Sequence, residues 1–258
     1  MNIWIIFDNS NNQNYLKQIN FIDNSLKKLN IDYKLIKNTD ITQKYININK
    51  KPSKVFYYST NLLEKIKLLE NNNIKVINNY NNTSLVNDKI SQLEILSKHN
   101  LTPKIYLNIN EITKYPIILK YKNSILSNGV FIINNEDELL SKTSNYNKED
   151  YILQEFFNYK PDLILKVFIY NNNIISSYKK EEINGFISSS THQLTEYERN
   201  IALKAIKLLN LEYGSVDIIY KDVLKPYICE VNTVPNIINI YNITNINIIN
   251  EIYKLNKS

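Results

Sequence analysis

The order of its apolar runs constrains this chain more than any other feature. Up to about residue 82, short β-prone runs alternate with helical patterns. Beyond about 151 they come in pairs joined by turns. The first part holds NIWIIF (2–7), DYKLIK (32–37), SKVFYYS (53–59) and IKVIN (74–78). Between them, NYLKQINFIDNSLKKLN spaces Leu16, Ile19, Ile22 and Leu26 as one helical face, and NLLEKIKLLENNN repeats the pattern. Strands alternating with helices predict a small parallel α/β unit of four strands over 1–82.

A second unit is expected over 83–150. NDKISQLEILSKHNLTP reads as a helix capped by Asp88, with Ile90, Leu93 and Leu96 inward. YPIILKY and GVFIINN read as strands joined by KNSILSN, and EDELLSK as a short helix. The third unit, 151–258, opens with YILQEFF. ILKVFIY and IISSYKK flank an Asn171–Asn173 turn, which asparagine tolerates. TEYERNIALKAIKLLN starts with a capping box, Thr195 with Glu198 three residues on, and buries Ile201, Ala205, Leu208 and Leu209. SVDIIY and PYICEV form a second hairpin. The Asn/Ile tract 236–250 still suits a helix.

Composition excludes several classes. One cysteine, Cys229, rules out an internal disulfide framework, and no cluster of thiols and histidines could hold zinc. No apolar run reaches membrane-spanning length, and MNIWIIFDNS lacks a secretory signal's basic head, so a cytoplasmic chain is expected. The net charge of +6 suits an anionic ligand. The lysines are dispersed, and no nucleic-acid partner is expected. Asn, Ile, Lys and Tyr dominate. With 3 Gly and Arg199 the single arginine, the bias matches AT-rich codons, and lysine and serine stand where other chains use arginine and glycine.

YICEVNTVPN, residues 227–236, puts a carboxylate and an amide into a β-prone run. Side chains two apart share a strand face, so Glu230 and Asn232 go together, and Cys229 and Val231 go to the opposite, core side. Pairing Tyr220 with Tyr227 sets Ile219 against Ile228 and Asp217 against Glu230. Two carboxylates that close call for a cation. Three oxygen donors without histidine or thiolate suit Mg²⁺. An ordinary solvated hairpin face would carry the same acids, and these residues alone leave both readings open. Lys120, at the end of PIILK, likewise either snorkels or meets a phosphate. His192 is expected in a surface loop and His99 at a helix end.

Taken in order, several segments resemble the ATP-grasp superfamily, most closely its RimK-like and glutathione-synthetase-like ligases. NDKISQLEILSKHNLTPK is similar to the segment carrying the first ATP-contacting lysine, here Lys89. YPIILKYKNSILSNGV looks like the strand with the second lysine, Lys120, and the phosphate-covering loop. ILQEFF resembles the adenine hinge, LKVFIYNNNIISSYKK the following strand pair, and YGSVDIIY with ICEVNTVPN the two metal-bearing strands. The resemblance covers about residues 1 to 240.

The resemblance implies an α/β chain of ATP-grasp fold: an N-terminal parallel domain (1–82), a small lid (83–150) and a C-terminal antiparallel-sheet subdomain (151–258). It implies that Lys89, Lys120, Ser127 and Gly129 bind phosphates, and that Gln154, Glu155, Phe156 and Phe157 hold adenine by backbone groups. Asp162 would reach the ribose. Lys166 and Lys180 would act near the transferred phosphate, and Asp217, Glu230 and Asn232 would hold Mg²⁺ or Mn²⁺. The phosphate loop keeps Gly129 but has Ser124 and Ser127 where relatives use glycine. The implied activity joins a carboxylate, small or peptidic, to an amine through an acyl phosphate made from ATP. A homo-oligomer is compatible with it. An inositol-phosphate-type kinase on the same scaffold, suggested by LKVFIY, and a nucleotide-binding module without turnover are the alternatives.

Overall fold

The computed structural model describes residues 2–8, 12–59, 62–122, 129–157, 163–183, 186–222 and 225–256. The chain begins with β1 (Asn2–Phe7), α1 (Gln13–Lys28), β2 (Asp32–Lys37), α2 (Gln43–Ile48), β3 (Lys54–Tyr58) and α3 (Leu63–Asn71). β1 lies between β2 and β3, all parallel. Both faces of β1 are buried. Trp4 and Ile6 meet Val55, Leu62 and Ile66, while Ile3 and Ile5 meet Ile19, Ile22 and Leu26 of α1. Helices on both faces explain the near-continuous apolar run. Asn12 caps α1 through the N–H groups of Asn14 and Tyr15. Leu16 falls outside the expected face and is 40 % exposed. IKVIN does not form the expected fourth strand: Val76 makes an isolated bridge to Val55.

α4 (Tyr80–Asn87) and α5 (Lys89–Ser97) follow. Then come β4 (Ile105–Tyr106), β5 (Ile117–Tyr121), β6 (Val130–Ile133), α6 (Glu136–Thr143) and β7 (Tyr151–Glu155). The antiparallel lid sheet has the order β4-β7-β5-β6. Its core is Ile117, Leu119, Ile133, Leu139 and Leu153. β7 belongs to the lid sheet, and α4 and α5 send Val86 and Leu96 into the core of the last unit.

That unit contains β8 (Leu163–Tyr170), β9 (Asn173–Ile183), β10 (Phe186–Thr191), α7 (Glu196–Leu208), β11 (Tyr213–Asp222), β12 (Lys225–Asn232), α8 (Ile237–Thr244) and α9 (Ile248–Leu255). Its antiparallel sheet runs β10-β9-β8-β11-β12. One face buries Leu165, Val167, Val216, Ile218, Ile228 and Val231 against Ile201, Ala205 and Ile206 of α7. The opposite face carries the polar residues considered below, and further along it Phe168 and Tyr170 meet α8 and α9.

Asparagine does the work of glycine at the turns. Positive φ occurs at Asn30, Asn73, Asn100, Asn210 and Asn245, each just past a helix, and at Asn171 and Asn172 in the β8–β9 turn. Asparagine tolerates the left-handed region because its short side chain bonds locally. Gly214 is needed for a different reason: a Cβ there would lie 2.8 Å from the Asn232 carbonyl oxygen. Asn78 joins the first unit to the last. Its Nδ2 donates to the Tyr213 carbonyl at 2.6 Å, and its Oδ1 accepts from the N–H groups of Glu212 and Tyr213.

The capping box of α7 forms as read, with Thr195 and Glu198 bonded reciprocally. Glu198 is also buried, and its carboxylate accepts from the Tyr220 hydroxyl and contacts His192 Nε2 at 3.0 Å. Burial pushes the Glu198 carboxyl up, but the bonds from Tyr220, His192 and the Thr195 N–H outweigh it, and its pKa lies below the ordinary value. A folded-state value below the unfolded one stabilises the fold above the unfolded pKa of about 4.3 and loses that contribution as pH falls through the folded value. Glu198→Ala is therefore expected to cost about 2 kcal/mol at neutral pH by stranding buried donors. It should also flatten the acid limb of stability against pH, as urea melts between pH 3 and 7 will measure.

Candidate functional site

The polar face of the five-stranded sheet is organised as a row. Lys166 in β8 lies opposite Asp217 in β11 on one side and Tyr178 in β9 on the other, and Asp217 lies opposite Glu230 in β12. Asn232, two residues beyond Glu230, lies opposite Ser215. The expected juxtaposition of Asp217, Glu230 and Asn232 is therefore present. The expected register around it is not. Ile219 pairs with Tyr227 and Ile218 with Ile228, and the shift falls between Asp217 and Ile218. Cys229 is the extra residue, a bulge.

The bulge overturns the core assignment of Cys229. Ile228 and Val231 are both buried, while Cys229 and Glu230 between them are half-exposed. Cys229 faces the cleft under the lid, with its Sγ 3.9 Å from Lys120 Nζ. A three-residue spacing between two core residues does not fit a period of two. That spacing is the signal in the sequence that a bulge lies between them.

Each acid has a lysine beside it. Lys166 Nζ pairs with Asp217 Oδ2. Lys89, the first residue of α5, reaches Glu230 Oε1 at 3.2 Å. Asp217 is 7 % exposed, and its Oδ1 is buried with no hydrogen-bond partner among the described residues. Burial raises the Asp217 carboxyl above its ordinary value because one bare oxygen leaves it short of donors, and Lys166 offsets this only in part. Burial pulls the Lys166 ammonium down, but Asp217 outweighs it and the net direction is up. Lys180 stands two residues beyond Tyr178 on β9, opposite Ile164.

The lid supplies the second wall. Lys120 pairs with Val130 and Ile152 and points across the cleft to Cys229. Gly129 is buried just before β6, its carbonyl accepting from the Tyr121 N–H. Gln154 in β7 is 1 % exposed, and neither of its side-chain amide atoms has a partner among the described residues. Glu155 pairs with Lys221 of β11 at 2.7 Å. Phe156 follows β7, and Phe157 stacks at 5.1 Å on Tyr227 with Lys221 over its ring. Asp88, the cap of α5, pairs with Lys122 at 2.9 Å. Ser124, Ser127 and Asp162 lie outside the described residues.

Between this sheet face and the start of α8 is a cavity of 350 Å³, lined in part by Lys166, Ser176, Tyr178, Asn232, Asn236 and Asn239. Of these, Ser176, Tyr178, Asn236 and Asn239 are not apparent from sequence, because tyrosine, serine and asparagine are too common in this chain to stand out. His192 lies in the loop between β10 and α7, as expected, with its ring held against Glu198. Among the described residues no three His, Cys, Asp or Glu side chains cluster as a metal site. The donor set is two carboxylates and an amide, and the bare Oδ1 of Asp217 beside Glu230 fits a hard divalent cation.

A small antiparallel lid sheet beside a larger antiparallel sheet is a fold this chain shares with solved ATP-grasp ligases. A D-alanine–D-alanine ligase from Bacillus anthracis complexed with ATP superposes with a TM-score of 0.73, at 19 % identity, over 92 % of this chain and 87 % of that one. The ATP-grasp ligase PsnB complexed with minimal precursor superposes at 0.72 and 12 % identity, over 98 % and 97 % of the two chains. This chain belongs to the RimK-like ATP-grasp domain family, which it matches over residues 59–255. A probable alpha-L-glutamate ligase of Desulfotalea psychrophila is 28 % identical over 170 residues, 58 % of this chain and 36 % of that protein. A coenzyme gamma-F420-2:alpha-L-glutamate ligase of Methanocaldococcus jannaschii is 25 % identical, over 71 % of this chain and 61 % of that protein. An uncharacterized protein of Mycoplasma genitalium is 23 % identical over 86 % of each. The chain thus spans less than two thirds of the length of the two glutamate ligases.

Removing one member of the Lys166–Asp217 pair leaves a buried charge, whereas removing both does not. Lys166→Met is expected to cost about 3 kcal/mol, and Lys166→Met with Asp217→Asn to recover most of it. Urea melts of the two singles and the double measure the coupling.

Proposed function

We propose that this protein is an ATP- and magnesium-dependent ligase that joins a carboxylate to an amine through an acyl phosphate. The observation that carries the reading is the row Lys166, Asp217 and Glu230 with a bare, buried oxygen on Asp217, facing Lys120 across the cleft. Asp217, Glu230 and Asn232 would hold the divalent ion, which when bound neutralises phosphate charge.

The chain's own groups would do the rest. Lys89 and Lys120 draw the nucleotide's phosphates between lid and sheet. The backbone from Gln154 to Phe157 holds the base. Lys166 and Lys180 steady the phosphoryl group as a substrate carboxylate attacks the γ-phosphorus and ADP departs. The amine then attacks the acyl carbon and inorganic phosphate leaves. The enzyme needs no covalent nucleophile, so the catalytic contribution is alignment and charge complementarity. Phosphate binding by Ser127 and Gly129, and ribose binding by Asp162, belong to the same proposal.

The names of the relatives make L-glutamate the first amine to assay, with amino acids and short peptides as carboxylates. The setting we propose is the cytoplasm. Its support is that no helix among the described residues could cross a membrane, together with the single unpaired cysteine. We also propose three working units: the parallel α/β domain to about 82, the lid, and the C-terminal sheet.

Incubation with ATP, Mg²⁺, glutamate and an acidic dipeptide should yield ADP, phosphate and a lengthened peptide by mass spectrometry. Glu230→Gln or Lys120→Met should cut turnover at least about 100-fold, and EDTA should abolish it until Mg²⁺ or Mn²⁺ is restored. A phosphorylated polyol with no amide product, or turnover indifferent to Glu230→Gln, overturns the reading.

A further inference from the structure

The proposed reaction leaves one charge unattended. When the amine attacks the acyl carbon, the carbonyl electrons move onto oxygen and a tetrahedral oxyanion forms. The residues placed so far meet the base, the phosphates and the transferred phosphoryl group, and none of them meets this oxygen. A donor aimed at such developing charge contributes most where water is excluded.

The row on the sheet face continues past Lys166. Tyr178 in β9 lies opposite Lys166 in β8, which lies opposite Asp217 in β11. Lys166 and Tyr178 both line the 350 Å³ cavity. Tyr178 is 6 % exposed, and its hydroxyl has no hydrogen-bond partner among the described residues. Buried phenols ordinarily find one. Tyr57 bonds to Thr83 Oγ1 at 2.6 Å, Tyr58 to the Pro235 carbonyl at 2.6 Å and Tyr170 to Asn256 Oδ1 at 3.0 Å. Several other polar groups of the cavity are already engaged. Lys166 is held by Asp217, Ser176 donates to Thr244 Oγ1 at 3.2 Å, and Asn236 accepts from the Asn239 N–H at 3.0 Å.

The order of side chains along the row matches the order of atoms in an acyl phosphate. Glu230 and Asp217 belong to the proposed ion site, and Lys166 comes next, at the phosphoryl group. Neighbouring strands are about 4.8 Å apart. Phosphorus and acyl carbon are separated by a single oxygen atom. A phosphoryl group at Lys166 therefore brings the acyl carbon towards the next strand, where Tyr178 stands.

We infer that Tyr178 is a catalytic residue of the amide-forming step, its hydroxyl donating a hydrogen bond to the acyl oxygen as negative charge develops there. The amine nitrogen bonds to the acyl carbon, and the carbonyl pair moves to the oxygen. That pair then returns, the bond from carbon to the phosphate oxygen breaks, and inorganic phosphate leaves with the bonding pair and the proton shed by nitrogen. The phenol keeps its own proton throughout, as phenols do at neutral pH. This inference rests on the ligase reading above, because it assigns a residue to the second step of that reaction. It asks nothing of Tyr178 in the first step.

The test uses the full chain with ATP, Mg²⁺, an acidic dipeptide and glutamate. Tyr178→Phe should lower kcat for amide formation about 100-fold, with KM for ATP and dipeptide and the melting temperature unchanged. With ATP and dipeptide but no glutamate, rapid quench measures the ADP formed in the first turnover. That burst should be the same in the variant and the wild type. 3-Fluorotyrosine in place of Tyr178 nearly keeps the shape and makes the phenol a stronger donor. It should raise kcat at pH 7, a readout that stands even where Tyr178→Phe fails to fold. Unchanged kcat in either variant, a rise in KM alone, or loss of the ADP burst together with kcat each overturns the assignment and leaves the ligase reading standing. Absence of amide product from the wild-type chain overturns the ligase reading itself, and the assignment falls with it.

Discussion

The site depends on one extra residue in β12. Ile228 and Val231 both need the core under α7, and they are three positions apart. A regular strand would send one of them to the solvent side. The bulge at Cys229 lets both go inward and turns Glu230 and Asn232 to the same face as Asp217 and Lys166. Apolar burial on one side of the sheet therefore fixes the polar constellation on the other, since moving Ile228 or Val231 out of the core would cost on the order of 2 kcal/mol each. It also brings a thiol into the cleft, next to a lysine of the lid.

Much of the fold is legible in the sequence because local signals agree with tertiary ones. The Thr195–Glu198 box, the period-2 runs of β8 and β9 and the Asn171–Asn172 turn each state their structure within a few residues. The Asp217–Glu230 pairing is legible as well, although the assumed register fails at the next residue, where Ile218 meets Ile228 and not Cys229. The bulge at Cys229 is a tertiary demand that a hairpin drawn from period alone does not include. What stayed hidden lacked local contrast. SSSTHQ reads as a polar loop, yet its first four residues belong to a strand because β9 holds them. YNNTSLVN has a weak apolar pattern and is helical around buried Thr83 and Val86. IKVIN is apolar enough for a strand but has only β3 to bridge.

Composition shapes this chain without changing its architecture. Where glycine would release a helix or a hairpin, asparagine takes the left-handed conformation. Where a planar guanidinium would grip a carboxylate at two points, Lys166 makes a single-point contact with Asp217 and leaves the other oxygen bare. That bare oxygen makes the acid a natural ligand for a cation. A bidentate arginine would have consumed it.

The Asn78 bonds give the molecule a fixed jaw and a free one. Three hydrogen bonds, two of them buried, weld the first unit to the base of β11, so the carboxylates and the cavity wall belong to a single frame. The lid meets that frame chiefly through the ends of lysines: Lys122 on Asp88, Lys120 on Cys229, and Lys221 of the frame on Glu155. Such half-exposed contacts break and re-form at little cost in water. Gaping of the cleft should therefore be a matter of lysine tips letting go, quick and sensitive to ionic strength, while the floor beneath stays still.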